Sequence, residues 1–130
     1  MNNPKDNPRI IISKELHGAT AATAANYGKI FIATSKCVVK KISAVWTTAS
    51  SSGTLQVQRL QGTETSGNGD DLLSSVIAMS GIAETTNEGT LTTTVADLIL
   101  HEGDRLMLED AGTLTSQAGL CVSIELELVD

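Results

Sequence analysis

The stretch Leu120–Val129 alternates strictly. Val122, Ile124, Leu126 and Leu128 fall on one side, and Ser123, Glu125 and Glu127 on the other. A period of two marks a strand with one face buried and one wet. No stretch of the chain carries an amphipathic helical pattern over three turns. The chain is therefore steered toward an all-β fold.

Other strands follow upstream. Lys29–Thr34 is a short one and Cys37–Thr48 a longer one, with Val38, Ile42, Ala44 and Trp46 on one face and Val39 and Val45 as exceptions. Thr47–Gly53 is Ser- and Gly-rich turn chemistry. Thr54–Gln61 alternates after it, so Cys37–Gln61 is expected to be a hairpin with a seven-residue loop. Leu72–Met79, Thr90–Leu100 and Arg105–Glu109 are further strands. Gly62–Asp70 is the longest polar stretch and is expected to be an exposed, mobile loop, with Gly81–Gly89 polar again. About eight strands with turn signals every ten to fifteen residues indicate an antiparallel β-sandwich or barrel. A jelly roll fits best, and an immunoglobulin-type sandwich is the next choice.

The first 28 residues look different. Pro4 and Pro8 each follow Asn, so residues 1–8 are expected to be a flexible lead-in. Arg9–Leu16 is a β-branched run, an edge strand or an arm that pairs with another chain. His17–Gly28 is rich in Ala, Thr and Gly and is taken as extended. The expected organisation is an N-terminal arm over 1–28 and a sandwich over 29–130, which suits one domain of 130 residues.

Composition narrows the function. One Trp, one Tyr and one Phe leave little stacking surface for sugars or single-stranded nucleic acid. The net charge is −6, which disfavours a phosphate backbone as the main partner. Residues 1–70 hold eight Lys/Arg and four Asp/Glu, and residues 71–130 hold one Arg and eleven Asp/Glu. That asymmetry is of a kind that guides subunit contacts, or it reflects solvated faces. No apolar run approaches the ~20 residues of a membrane span, and the N-terminus lacks the apolar core of a signal peptide. A reducing cytoplasm is the expected place of synthesis. Cys37 and Cys121 then read as buried thiols, with a disulfide geometrically open if their strands are neighbours.

The search for chemistry yields little. His101, Glu102 and Asp104 have ligand types for Zn²⁺ or Mn²⁺, but a tight turn with Gly103 at positive φ and Asp104 as cap explains them better. The acidic run Asn68–Asp71 suits Ca²⁺ in ligand type but lacks EF-hand spacing. Lys36 precedes Cys37, yet Val38 and Val39 point to burial rather than a nucleophile. Neither Gly-x-Ser-x-Gly nor a phosphate-binding Gly-x-x-x-x-Gly-Lys-Ser/Thr loop occurs. The expectation is no enzyme, no metal and no cofactor.

The run Lys41–Glu64, the approach from Val95 into His101-Glu102-Gly103-Asp104-Arg105-Leu106-Met107-Leu108, and the close Gly119–Leu128 have an order with a familial look. They resemble small jelly-roll proteins that decorate tailed-phage heads, the cement or auxiliary capsid proteins, over residues 36–129. The resemblance implies a virion structural protein on the capsid surface, bound to the major capsid protein lattice and most often trimeric. It carries over no individual functional residue. An arm that orders on the capsid would use Lys5, Arg9, Ile10, Ile11, Ile12 and Lys14 as contacts. The chain also resembles β-sandwich domains of phage fibres and head spikes, which implies a receptor- or glycan-binding alternative. A small hydrolase or metal enzyme on a cupin-like barrel is the weakest rival, for want of a His cluster.

Overall fold

A computed structural model describes residues 8–16, 29–65, 67–114 and 116–129, without the side chains of 14–16. The described residues form ten strands: β1 (Arg9–Leu16), β2 (Lys29–Ile32), β3 (Cys37–Val45), β4 (Thr54–Leu60), β5 (Asp70–Asp71), β6 (Ile77–Ala78), β7 (Asn87–Glu88), β8 (Ile99–Leu100), β9 (Arg105–Ala111) and β10 (Leu120–Leu128). The one helical element among them is a 3₁₀ turn, Val95–Leu98.

All pairings are antiparallel, in two sheets. The first runs β1-β10-β3, with β7 and β8 both on the far side of β3; the second runs β2-β9-β4, with β5 and β6 both beyond β4. Counting each split edge as one position gives eight strands. They nest as first with last, β1 with β10, then β2 with β9, β3 with β7 and β8, and β4 with β5 and β6. This is one long hairpin rolled until β10 meets β3 and β9 meets β4, the jelly-roll order. The fold is therefore the expected all-β sandwich.

The inner faces follow the alternation. Leu120, Val122, Ile124 and Leu126 of β10 are buried against Leu55, Val57, Leu106 and Leu108 of the opposite sheet. In β3 the parity changes midway. Glu125 pairs with Lys41 but Leu126 pairs with Val39, so Lys40 is an extra residue in a bulge. Cys37 and Val39 point inward before it, and Ile42, Ala44 and Trp46 after it. Val38, expected on the face of Ile42, Ala44 and Trp46, is instead half-buried between the inward Cys37 and Val39.

Several local expectations are corrected. Cys37–Gln61 is not a hairpin: β3 and β4 lie in different sheets, and the segment between them crosses the sandwich. Of the two readings of Arg9–Leu16 the edge strand is the one seen: it pairs along its whole length with β10 at the edge of the sheet. The lead-in 1–7 and the connection 17–28 lie outside the described residues. Leu72–Met79 and Thr90–Leu100 are not continuous strands. The Gln56 side chain explains the first interruption. Its Nε2 donates to the Leu73 carbonyl and its Oε1 accepts from Leu73 N–H, so an amide side chain replaces the ladder between β5 and β6. The described residues of 62–70 are largely exposed, as expected, and are tied back to β4 and β9 by hydrogen bonds. Gly67 N–H donates to Gln58 Oε1 at 3.1 Å, and Arg105 holds the Gly62 carbonyl at 2.8 Å. Leu60 and Met107 are fully buried on the outer side of this sheet.

Arg59 closes the lateral edge formed by β5 and β8. It shares the inward parity of Leu55 and Val57, and its side chain is 9% exposed. Nε and Nη2 both bind Asp70 Oδ2, at 3.2 and 2.7 Å, and Nη1 donates to the carbonyls of Ala96 and Ile99. Asp97 Oδ1 adds a contact at 3.5 Å. One guanidinium thus joins β4, β5, the 3₁₀ turn and β8. The chain zips the same side with a Leu73–Leu91 bridge and a bond from Thr92 N–H to the Leu72 carbonyl. Replacing Arg59 by Met keeps the volume and removes the charge, leaving two aspartates and two carbonyls without their partner. Arg59→Met should lower unfolding free energy by about 3 kcal/mol, measured by urea denaturation.

Candidate binding surface

The residues singled out for capsid contact do not form one patch. Ile10 and Ile12 turn inward and pack against the core. Ile11 turns outward and is 68% exposed. Arg9 is bound across its own sheet, to Glu125 Oε1 at 2.8 Å and Glu127 Oε2 at 2.9 Å. Lys14 pairs in register with Val122. Lys5 lies outside the described residues. Of the six, Ile11 is the exposed apolar group on the strand, and Arg9 is half committed to the fold.

The backbone of β1 offers more than its side chains. No described residue pairs with its outer edge. Leu128 N–H donates to the Pro8 carbonyl, and ladder bonds recur on alternate residues of an antiparallel pair. Ile10, Ile12, Lys14 and Leu16 therefore direct their backbone groups to β10. Arg9, Ile11, Ser13 and Glu15 direct theirs outward. Sequence reasoning singled out Ile10–Ile12 but missed Ser13, whose parity with Ile11 was the available signal. The other free edge, β2, is four residues long and shifts register against β9 between Lys29 and Phe31.

The candidate chemical groups are taken up by structure. Gly103 adopts φ 92 in the turn. Asp104 Oδ2 accepts from His101 N–H at 2.9 Å and Gln61 Nε2 at 3.1 Å, while the His101 side chain stays 62% exposed. Asp70 is held by Arg59, and Asp71 Oδ1 accepts from Gln58 Nε2. The loop carboxylates that suggested Ca²⁺ thus have protein partners. Among the described residues no three His, Cys, Asp or Glu are grouped to hold a metal ion.

Cys37 and Cys121 sit on adjacent strands, yet at opposite ends of one ladder. Cys37 pairs with Leu128 and Cys121 with Val45, and both thiols are free. Burial, and secondarily the charge of Asp104, pushes the Cys37 thiol pKa up, which keeps it protonated and poorly nucleophilic. Shallow hollows lie on the surface of the described residues. One, of about 180 Å³, sits on the outer face of the β1-β10-β3 sheet between Ser43, Val45, Thr86, Cys121 and Ser123. Another, of about 330 Å³, lies between residues 75–81 and 87–90. Each offers a single titratable side chain, Cys121 or Glu88, so neither supplies an acid–base pair.

The strand expected at Arg105–Glu109 runs on to Ala111 and carries Asp110 with it. Asp110 shares the inward parity of Leu106 and Leu108 and is 5% exposed. Among the described residues neither carboxylate oxygen has a hydrogen-bond partner. Burial pushes its pKa up, opposed by its own backbone N–H, which does not reach bonding geometry. A raised folded-state pKa means the contribution to stability is fully present below the unfolded carboxylate value and is lost as pH rises through the folded one. At neutral pH the cost of burying the carboxylate therefore weakens the fold. Asp110→Asn should raise the melting temperature by a few degrees at pH 7 and have little effect near pH 3, read by thermal scans across pH.

No family model matches the chain, and no curated protein matches it. One solved structure aligned with it is described as "Bacillus endospore appendages form a novel family of disulfide-linked pili". That alignment covers 100% of this chain and 98% of the other at 10% identity, with a TM-score of 0.38, a likeness too distant to bear on fold or function.

Proposed function

We propose that the protein is a structural component of a virion, a decoration protein that binds the major capsid protein lattice on the outside of a tailed-phage head. The supporting observation is the resemblance over residues 36–129, whose three stretches occupy β3–β4, the 3₁₀ turn through β9, and β10. The jelly-roll strand order is the fold that resemblance implies. Jelly rolls serve many functions, so the fold alone does not choose among them. The site chemistry adds to the reading. The carboxylates that could form a reactive cluster are bound by Arg59, Gln58 and Gln61, and the Cys37 thiol is held neutral.

A protein of this kind works by repeated contacts with many identical lattice positions, where copy number multiplies a modest affinity. It needs a compact body that stays folded when free and an exposed surface to dock. Mixing purified protein with undecorated phage shells and sedimenting them tests the reading. Saturable binding at a stoichiometry set by the lattice symmetry, with a rise in the shells' melting temperature, is the expected result. Shells that pellet without the protein would overturn it.

A further inference from the structure

We propose that β1 is a self-association edge, on which a second copy of this chain adds its own β1 antiparallel, about a two-fold axis through Ile12. The pairing would join the two β1-β10-β3 sheets into one continuous sheet across the dimer. It is independent of capsid binding, and it predicts a dimer in place of the trimer the family resemblance implies.

The first argument is the contrast among the edges. One lateral side of the sandwich is closed by the Arg59 cluster and by the bonds between residues 72–74 and 90–92. On the other side β2 is short and bulged. Free edges are ordinarily protected in these ways, by shortness, bulges, proline or cover. β1 has eight residues in unbroken register with β10, without proline, glycine or bulge. It presents outward N–H and C=O groups at Arg9, Ile11, Ser13 and Glu15, beside an Ile11 side chain that is 68% exposed.

The second argument is self-complementarity. Two outward-facing edges pair only when outward residues meet outward residues, so the two-fold axis must pass through a residue and not between two. An axis through Ile11 would set Arg9 opposite Ser13, and one through Ser13 would run Arg9 past the end of the strand. An axis through Ile12 sets Ile11 opposite Ser13 and Arg9 opposite Glu15, with opposite charges at both ends of the seam. Directly opposed unlike charges favour a register, and like charges oppose it. This choice also keeps most of the strand in the pairing. A two-fold contact closes on itself, so association stops at the dimer.

The test is sedimentation equilibrium on the full chain, wild type beside Ser13→Pro and Glu15→Arg. Ser13 directs its N–H away from β10, so proline there removes no backbone hydrogen bond of the fold, only the exposed 3.5 Å contact of its hydroxyl with Ser123 Oγ, while its ring blocks an added strand. Glu15→Arg places like charges at both ends of the seam. The wild type should sediment at twice 13.6 kDa. Ser13→Pro should be a monomer with an unchanged β-type circular dichroism spectrum. Glu15→Arg should weaken the dimer by about tenfold, from two reversed cross-strand pairs; should the proline variant fail to fold, this one decides. A wild type that stays monomeric at high concentration would overturn the proposal. So would an oligomer, dimer or trimer, that Glu15→Arg does not weaken, and so would one that a folded Ser13→Pro leaves intact.

Discussion

The closed side of the sandwich hangs on one buried cation. A guanidinium carries five N–H donors and cannot give up its charge. Placing one at the inward position after Leu55 and Val57 obliges the surrounding chain to supply acceptors. Asp70, Asp97 and the carbonyls of Ala96 and Ile99 do so. None of these groups lies in a long strand. β5 and β8 have two residues each, too few to hold their place by ladder bonds alone. The short edge pieces are thus located by the charge they must neutralise. Such pairs are uncertain contributors to net stability but effective at excluding wrong arrangements.

The uneven charge along the chain acquires a local meaning in this topology. Nesting first strand with last sets the basic half against the acidic half. Arg9 meets Glu125 and Glu127, Lys41 approaches Glu88, and Arg59 reaches Asp97. Exposed pairs of this sort are each worth little energy. They do penalise a shifted register in strands that are otherwise rows of Ile, Val and Leu, where a slip of two residues would keep the pattern intact. The asymmetry that suggested subunit contacts is partly used within the chain.

The elements that could be read from sequence were those whose pattern comes from burial of one face. β10 is the clearest, since solvent and core alternate along it without exception. β4 misled because both of its faces are covered. Gln56 and Gln58 look like solvent positions, yet they are 7% and 4% exposed, and bond the segments folded over them. β3 misled through the extra residue Lys40, since a bulge exchanges the faces and no local signal announces it. The split edges were illegible for another reason: a side-chain amide and a guanidinium do the work of backbone ladders there. Of the candidate surface, Ile11 was legible as an apolar residue, whereas its exposure depends on the register with β10, a pairing more than a hundred residues away in sequence.

That separation shapes how the protein is made. β1 is synthesised well before its partner β10, with about a hundred residues between Leu16 and Leu120. At ordinary elongation rates of roughly 5–20 residues per second, the run Ile10-Ile11-Ile12 waits on the order of ten seconds for the strand that will cover one side of it. Neighbouring chains on the same message carry the same waiting strand. An early encounter between two of them is a hazard for the unfinished chain, and it lasts until β10 arrives to cover one side of the strand.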